Sequence, residues 1–406
     1  MEKQREIILL NIYGNDKPGL TSSLTQVLAS YNVNILDIGQ AVIHENLDLG
    51  ILFEVPRESE SSPILKDLLF KGYELGIKIK FTPIGEDDYH HWVSLQGKKR
   101  YIITLIARKI QASQIAEISK IIYHQQLNID KISRLSGRVR IDSEDTTHKA
   151  CVEFSVRGTP IDMDAMKSSF MEIARTLGVD ISFQEDNIFR RTRRLVCFDM
   201  DSTLIQTEVI DELAKRAGVG EQVSQITEAA MKGQMNFAES FKQRMALLKG
   251  LDEKVLIDIA ENLPLTEGAE RLFRALKKYG FKTAILSGGF TYFGKYLQNK
   301  LGVDYMFANQ LEISEGKLTG NYIGDIIDGP RKAELLRNIA FKEDIYLDQT
   351  VAVGDGSNDL PMINIAGLGI AFHAKPIVTK NAQHSISTIG LDAILFLMGF
   401  RDRDIE

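Results

Sequence analysis

Cysteine is scarce in this 406-residue chain, which has only two, Cys151 and Cys197. A disulfide framework is therefore excluded, and a reducing compartment, the cytoplasm, is the expectation. Both fall in predicted core strands, Cys197 inside one and Cys151 at the start of another. Long apolar runs are also lacking. No stretch of about 18 apolar residues occurs, so no helix is expected to cross a membrane. The opening Met1-Glu2-Lys3-Gln4-Arg5-Glu6 has none of the apolar character of a secretory signal. Nor is there a surplus of positive charge. Lys and Arg number 49 against 55 Asp and Glu, a net charge of -6, which argues against nucleic acid as a partner. The longest basic run, Arg190-Arg191-Thr192-Arg193-Arg194, reads as a solvated segment between domains. What remains is an ordinary globular composition, 44% hydrophobic and 26% charged, long enough for two or three domains with cores of their own.

The first half holds a diverged repeat. Ile7–Ile12 matches Tyr101–Ile106, Asn34–Ile38 matches Asn128–Ile132, and Ile51–Val55 matches Val152–Val156. The extra residues of the second copy fall in the polar stretch Arg138–His148, where a hairpin loop absorbs them. Helical spacing of apolar residues over Ser22–Tyr31, Leu65–Leu75, Gln114–Gln125 and Met163–Leu177 completes two βαββαβ units of the ferredoxin-like kind. Gly85–Lys99 reads as a polar linker between them. His90-His91 within it points to metal only weakly, since no Cys or third His lies nearby.

The second half carries three motifs at predicted strand ends. Leu195–Phe198 is a short apolar run, expected to be a buried parallel strand, that stops at Asp199 and Asp201. Open α/β sheets place ligands at the carboxyl ends of their strands, so Asp199 is positioned as a nucleophile or metal ligand with Asp201 beside it as a proton donor. Thr283–Gly289 is a second such run, ending in Ser287-Gly288-Gly289. Val351–Asp359 is a third, ending in Gly354-Asp355-Gly356-Ser357-Asn358-Asp359. Between the last two, Gly329-Pro330-Arg331-Lys332 opens a helix.

In that order these motifs resemble the haloacid-dehalogenase-type phosphatases, over about residues 190–400, and in detail the phosphoserine phosphatases among them. Gly14-Asn15-Asp16-Lys17-Pro18-Gly19-Leu20 resembles the ligand loop of ACT domains, small modules that sense amino acids. The matching loop of the second copy, Arg108–Gln114, has neither Pro nor Gly. The expected fold is thus α/β: a Rossmann-like core with a helical cap, preceded by two ferredoxin-like ACT units. Residues 1–85 would form an ACT domain, 86–99 a linker, 100–185 an ACT-like domain and 186–406 the phosphatase, with its cap at about 207–263. That cap segment, Thr207–Leu263, is too long for a βα loop and reads as helices that close over the site.

The resemblance implies roles. Asp199 is the nucleophile and Asp201 the acid and base. Asp355 is a ligand for Mg²⁺, with Asp199 and the backbone carbonyl of Asp201, while Asp359 is an outer ligand or a support. Ser287, the Gly288 amide, Lys332 and Asn358 meet the phosphate. Glu208 meets the substrate ammonium and Arg244 its carboxylate, with Met231 and Phe237 as apolar walls. The implied substrate is O-phospho-L-serine. Alternatives are another small phosphorylated amine, such as phosphohomoserine, or a sensor whose phosphatase activity is secondary. Asp16 and Gly19 would hold an effector, serine by analogy, and the paired sheets favour a homodimer, with no nucleic-acid or membrane partner.

Overall fold

The computed structural model describes residues 5–95, 97–142, 148–231 and 234–405. The side chain of Met231 lies outside the described residues. The chain forms two compact units, Met1–Lys98 and Lys99–Glu406.

In the first unit β1 (Glu6–Asn15), β2 (Asn34–Ile43), β3 (Asn46–Val55) and β4 (Lys78–Ile84) form an antiparallel sheet in the order β2-β3-β1-β4. Leu47, Leu49, Ile51, Phe53 and Val55 alternate along β3 and are all buried. They pack with Leu20, Leu24 and Leu28 of helix Leu20–Ser30 and with Ile64 and Leu68 of helix Ser61–Leu75. The four-residue spacing puts each trio or pair on one helix face. The stretch expected to be a plain polar linker instead contains a helix, Glu86–Ser94. Its first turn holds Glu86, Asp87 and Asp88, whose charges suit the positive end of the helix dipole. His90 lies 3.6 Å from Glu86 one turn away, and neither His90 nor His91 joins a cluster of metal-ligating side chains among the described residues.

The second unit begins with β5 (Arg100–Ala107), β6 (Asn128–Arg134), β7 (Ala150–Arg157) and β8 (Asp180–Glu185), in the same topology, β6-β7-β5-β8. Helices Ala112–His124 and Met163–Leu177 cover one face. Unlike β1, β5 is buried from Tyr101 to Ala107 without interruption. Its Tyr101, Ile103 and Leu105 face those helices, while Ile106, together with Cys151 and Leu135, joins the core of the α/β part that follows. Buried Asp180 fixes this packing by accepting from the Ser387 and Thr388 amides and the Thr388 hydroxyl. Contrary to the expectation of a solvated segment, the basic run 190–194 is partly buried: Arg190 and Arg193 are inside, and Arg190 pairs with Glu153 on β7 at 2.5 Å.

The α/β core is a seven-stranded sheet of β9 (Leu195–Phe198), β10 (Lys282–Phe290), β11 (Tyr305–Ser314), β12 (Lys317–Ile323), β13 (Thr350–Gly354), β14 (Leu368–Phe372) and β15 (His384–Ile386). Its order is β12-β11-β10-β9-β13-β14-β15, parallel except where β12 pairs with β11. The chain fills one side of β9 and then the other, so the carboxyl end of β9 is the switch point at which such sheets hold ligands. Helices Val209–Ala217, Gly220–Met231, Phe237–Leu247 and Lys254–Glu261 occupy the stretch expected to be a cap. They are entered and left through a bridge between Ile205 and Leu265.

Candidate active site

Strand β9 is buried along its whole length between β10 and β13, and the chain leaves the sheet at Asp199. The Asp199 amide still donates to the Val353 carbonyl at 2.9 Å, so the residue sits one step beyond the strand in a fixed position. Its Oδ1 accepts from the Met200 amide at 2.8 Å. The Leu204 and Ile205 amides then turn back onto the Met200 carbonyl, at 2.9 and 3.1 Å. Within this turn Ser202 has φ 54°, a region that side chains other than glycine seldom adopt. Its hydroxyl donates to Glu208 at 2.8 Å. Asp201 is held separately, its Oδ1 accepting from the Val209 amide at 3.0 Å. Two carboxylates one residue apart thus acquire different partners.

Helix Gly329–Lys342 starts with Asp328 as its cap, accepting from the Arg331 amide at 3.0 Å, and Pro330 in its first turn. This places Lys332 under Asp199. Lys332 is 0% exposed, with Nζ 2.7 Å from Asp199 Oδ1 and 2.7 Å from Asp359 Oδ1. Burial alone would lower the ammonium's pKa, but the two carboxylates outweigh it and hold it above the usual lysine value. Asp355, just past β13, accepts from the Thr203 hydroxyl at 3.3 Å, and Asp359 from the Gly356 amide at 2.9 Å.

Asp199, Asp355 and Asp359 each offer a carboxylate oxygen within 4.8 Å of the others. Burial, then the charges of Asp199, Asp359 and Glu208, push Asp355 up to about 8. Burial and Asp199 push Asp359 up to about 7 even though Lys332 opposes the shift. One ammonium does not balance three carboxylates. A set of hard oxygen donors at this separation fits a small divalent cation, which would relieve the repulsion.

The end of β10 supplies the other wall. A Cβ on Gly288 would lie 2.9 Å from Phe237 Cζ, and one on Gly289 only 2.4 Å from Asp201 Oδ2. Glycine is needed at both positions so that a ring and a carboxylate can rest on the backbone. Ser287 Oγ accepts from the Gly289 amide at 2.9 Å, and the Gly288 carbonyl accepts from Asn309 Nδ2 at 2.8 Å. Asn309 is itself fixed, accepting from the Ile327 amide at 2.9 Å.

These elements enclose a cavity of about 730 Å³ under the cap. Of the residues expected from sequence, Asp199, Asp201, Glu208, Phe237, Arg244, Gly288, Asp355 and Asn358 line it. Lys332 lies behind Asp199, and Ser287 is fully buried behind Gly288 and Gly289. The Met231 side chain lies outside the described residues; Met235 lines the cavity. Asp16 and Gly19 belong to the first unit, where Gly19 precedes helix Leu20–Ser30 with φ 91° and the Asp16 amide donates to Glu45. Burial, then the charges of Glu208 and Asp199, raise the Asp201 carboxyl well above the usual carboxylate range. Burial also raises Glu208 and lowers Arg244, each partly offset by the other's charge. Sequence reasoning did not single out Ser202, Thr203 or Asn309 as supports. The first two sit inside the Asp-x-Asp-Ser-Thr motif, whereas nothing local marks Asn309, which reaches β10 from β11.

The sequence profile of haloacid dehalogenase-like hydrolases matches residues 193–367, and that of the ACT domain residues 6–82. Phosphoserine phosphatase of Streptomyces coelicolor is 38% identical over 403 residues, covering 98% of this chain and 93% of the relative. Phosphoserine phosphatase of Mycobacterium tuberculosis is 37% identical, covering 98% and 94%. Among solved structures, a probable phosphoserine phosphatase from Vibrio cholerae superposes with a TM-score of 0.57 at 33% identity, over 73% of this chain and 86% of that one.

Proposed function

The chain belongs to the haloacid dehalogenase-like hydrolases, and on that premise we propose that it hydrolyses O-phospho-L-serine to L-serine and phosphate, the last step of serine synthesis. Asp199 attacks phosphorus and forms an aspartyl-phosphate. Asp201 gives its proton to the departing seryl oxygen, then takes one from the water that hydrolyses the intermediate. The raised pKa of Asp201 suits a group that must begin protonated. A divalent ion, Mg²⁺ by its preference for oxygen ligands, would be held by Asp199, Asp355 and the Asp201 carbonyl, with Asp359 close by, and would offset the charge of the phosphate. Lys332, Ser287, the Gly288 amide and Asn358 hold the phosphate oxygens.

The observation that carries the substrate assignment is that Glu208 and Arg244, from separate parts of the cap segment, line one cavity with Asp199. Glu208 takes the ammonium and Arg244 the carboxylate, for which a guanidinium fork is suited; Phe237 bounds the apolar side. The test is turnover of phosphoserine, phosphothreonine, phosphohomoserine and p-nitrophenyl phosphate, with and without Mg²⁺. Phosphoserine should lead by a wide margin in kcat/KM, and only with the metal; a preference for phosphohomoserine would replace the substrate.

Arg244→Ala and Glu208→Gln should each lower kcat/KM for phosphoserine while nearly sparing p-nitrophenyl phosphate. A hydrogen-bonded charge contact contributes roughly 1.5–3 kcal/mol, or about one to two orders of magnitude. Equal damage to both substrates would make these residues structural.

The first unit is an ACT domain, and serine is its proposed effector, bound at Asp16 and Gly19 in a cytoplasmic homodimer. Ile35, Ile38, Val42 and Ile43 are exposed on β2, an edge strand of its sheet, and pairing of such edges between chains would cover them. Gly19→Val strains a left-handed position although the space around it is open. It should abolish serine inhibition and calorimetric serine binding while leaving kcat for phosphoserine within about twofold; unchanged inhibition would reduce the loop to a turn.

A further inference from the structure

The active site does not use the basic run that precedes β9, yet Arg193 from that run is 7% exposed and forms no ion pair among the described residues. Among the described residues its guanidinium donates only to neutral acceptors, Gln184 at 3.1 Å and the Thr350 carbonyl at 3.5 Å. Its Nε has no partner among the described residues. A buried guanidinium normally recovers its lost hydration from a carboxylate or phosphate. Arg193 instead lines a cavity of about 340 Å³ where the second ferredoxin-like sheet meets the α/β core.

The surroundings sharpen the case. Lys167 lines the same cavity from helix Met163–Leu177. His384 does so from the start of β15, its Nδ1 3.0 Å from the Ser182 hydroxyl. Burial, then the positive charges of Arg193 and Lys167, hold its pKa down at about 3, so the ring is neutral; Glu185 adds an acid to the same lining. Asp348 also lines the cavity and favours the charged form of Arg193, but without a salt bridge to it. Tyr101, Phe183 and Met163 give the space an apolar wall, with the two rings stacked at 4.9 Å.

The position separates this cavity from the active site. Arg193 precedes β9, Asp348 precedes β13, Gly367 precedes β14, and His384 opens β15. All lie at the amino ends of the parallel strands, while Asp199 and Asp355 lie at the carboxyl ends. We propose that this cavity is a second binding site, for a small metabolite that carries a carboxylate or phosphate on a partly apolar body, with its anionic group against Arg193 and Lys167. Bound there, it would tie the second ferredoxin-like sheet to the core.

Two probes separate the possible anionic groups: benzoate, a carboxylate on an apolar ring, and inorganic phosphate. Each is titrated calorimetrically into the full-length protein and soaked into its crystals. The expected result is density for at least one of them against the Arg193 guanidinium, with binding there about ten- to hundredfold weaker in Arg193→Met. Phosphate bound at the active site would persist in that variant, so one binding event is lost rather than all. Lys167→Met, on an exposed helix face, serves if Arg193→Met does not fold, and should weaken the same event several-fold. Water alone beside Arg193, density without calorimetric binding, or unchanged affinity in the variants would overturn the proposal.

Discussion

Asp199→Asn should leave the protein folded and catalytically dead. An amide has no anionic oxygen with which to attack phosphorus, so the aspartyl-phosphate cannot form. Loss of a nucleophile with its supports intact typically costs about 10⁴-fold or more in kcat. The fold should not suffer. Asp199 is one of three carboxylates crowded within 4.8 Å of each other, and neutralising it lessens the repulsion that raises Asp355 and Asp359. Lys332 keeps its contact with Asp359. Phosphate release and the urea midpoint should therefore part company: no measurable turnover, with a midpoint equal to the parent's or higher. Activity of even a few per cent, after exclusion of deamidation back to Asp, would remove Asp199 from the nucleophile's place. Asp201→Asn should retain slightly more, because water can protonate the leaving oxygen slowly, and its pH profile should change shape.

The parts of this site legible in sequence were those set by strand ends. A run of four apolar residues followed by Asp199 fixes where the chain leaves the sheet, because a buried parallel strand must be apolar and its first polar residue marks the edge. The same logic located Ser287 and Asp355. The ferredoxin-like units were legible because a two-residue period and a four-residue period alternate along them. What could not be read was burial decided by a partner far away in sequence. Arg190 and Arg193 look like surface charges until β7 and the β8 strand residue Gln184 are brought beside them. Ile106 and Leu135 look like ordinary members of a small sheet, and only the docking of the α/β core explains why β5 has no exposed face. The helix Glu86–Ser94 was missed for a local reason: its residues are polar on most faces, so no apolar period announces it, and the signal lay in the three acids of its first turn. Lys332 falls between these cases. Its position after Pro330 was readable; its complete burial between two aspartates was not.

That burial gives the second large effect. Lys332→Met should abolish turnover, since the phosphate and Asp199 both lose the positive charge beside them, and should destabilise the metal-free protein by about 3–5 kcal/mol. The methionine fills much of the same volume, so the loss is electrostatic rather than a cavity. It strands Asp199 and Asp359, buried at 5% and 0% exposure, without their shared ammonium. The sign of the pH dependence follows. In the parent, the lysine's raised pKa contributes stability that is complete at neutral pH and lost only on the alkaline side. In the variant, Asp355 and Asp359, already raised to about 8 and about 7, lose the group that opposed the rise. Their folded-state values then lie far above the unfolded ones, so the variant gains stability relative to the parent as pH falls and these carboxyls are protonated. Urea midpoints in EDTA should therefore differ widely at pH 8 and converge toward pH 5.5. Millimolar Mg²⁺ should narrow the gap at pH 8, because a divalent ion among the three carboxylates replaces part of the missing charge. A gap that does not change with pH or with Mg²⁺ would mean that methionine packs badly and that the bridge between Asp199 and Asp359 contributes little. A variant as stable as the parent at pH 8 would mean that the carboxylates are hydrated once the lysine is gone, and the ammonium would then matter for the phosphate alone.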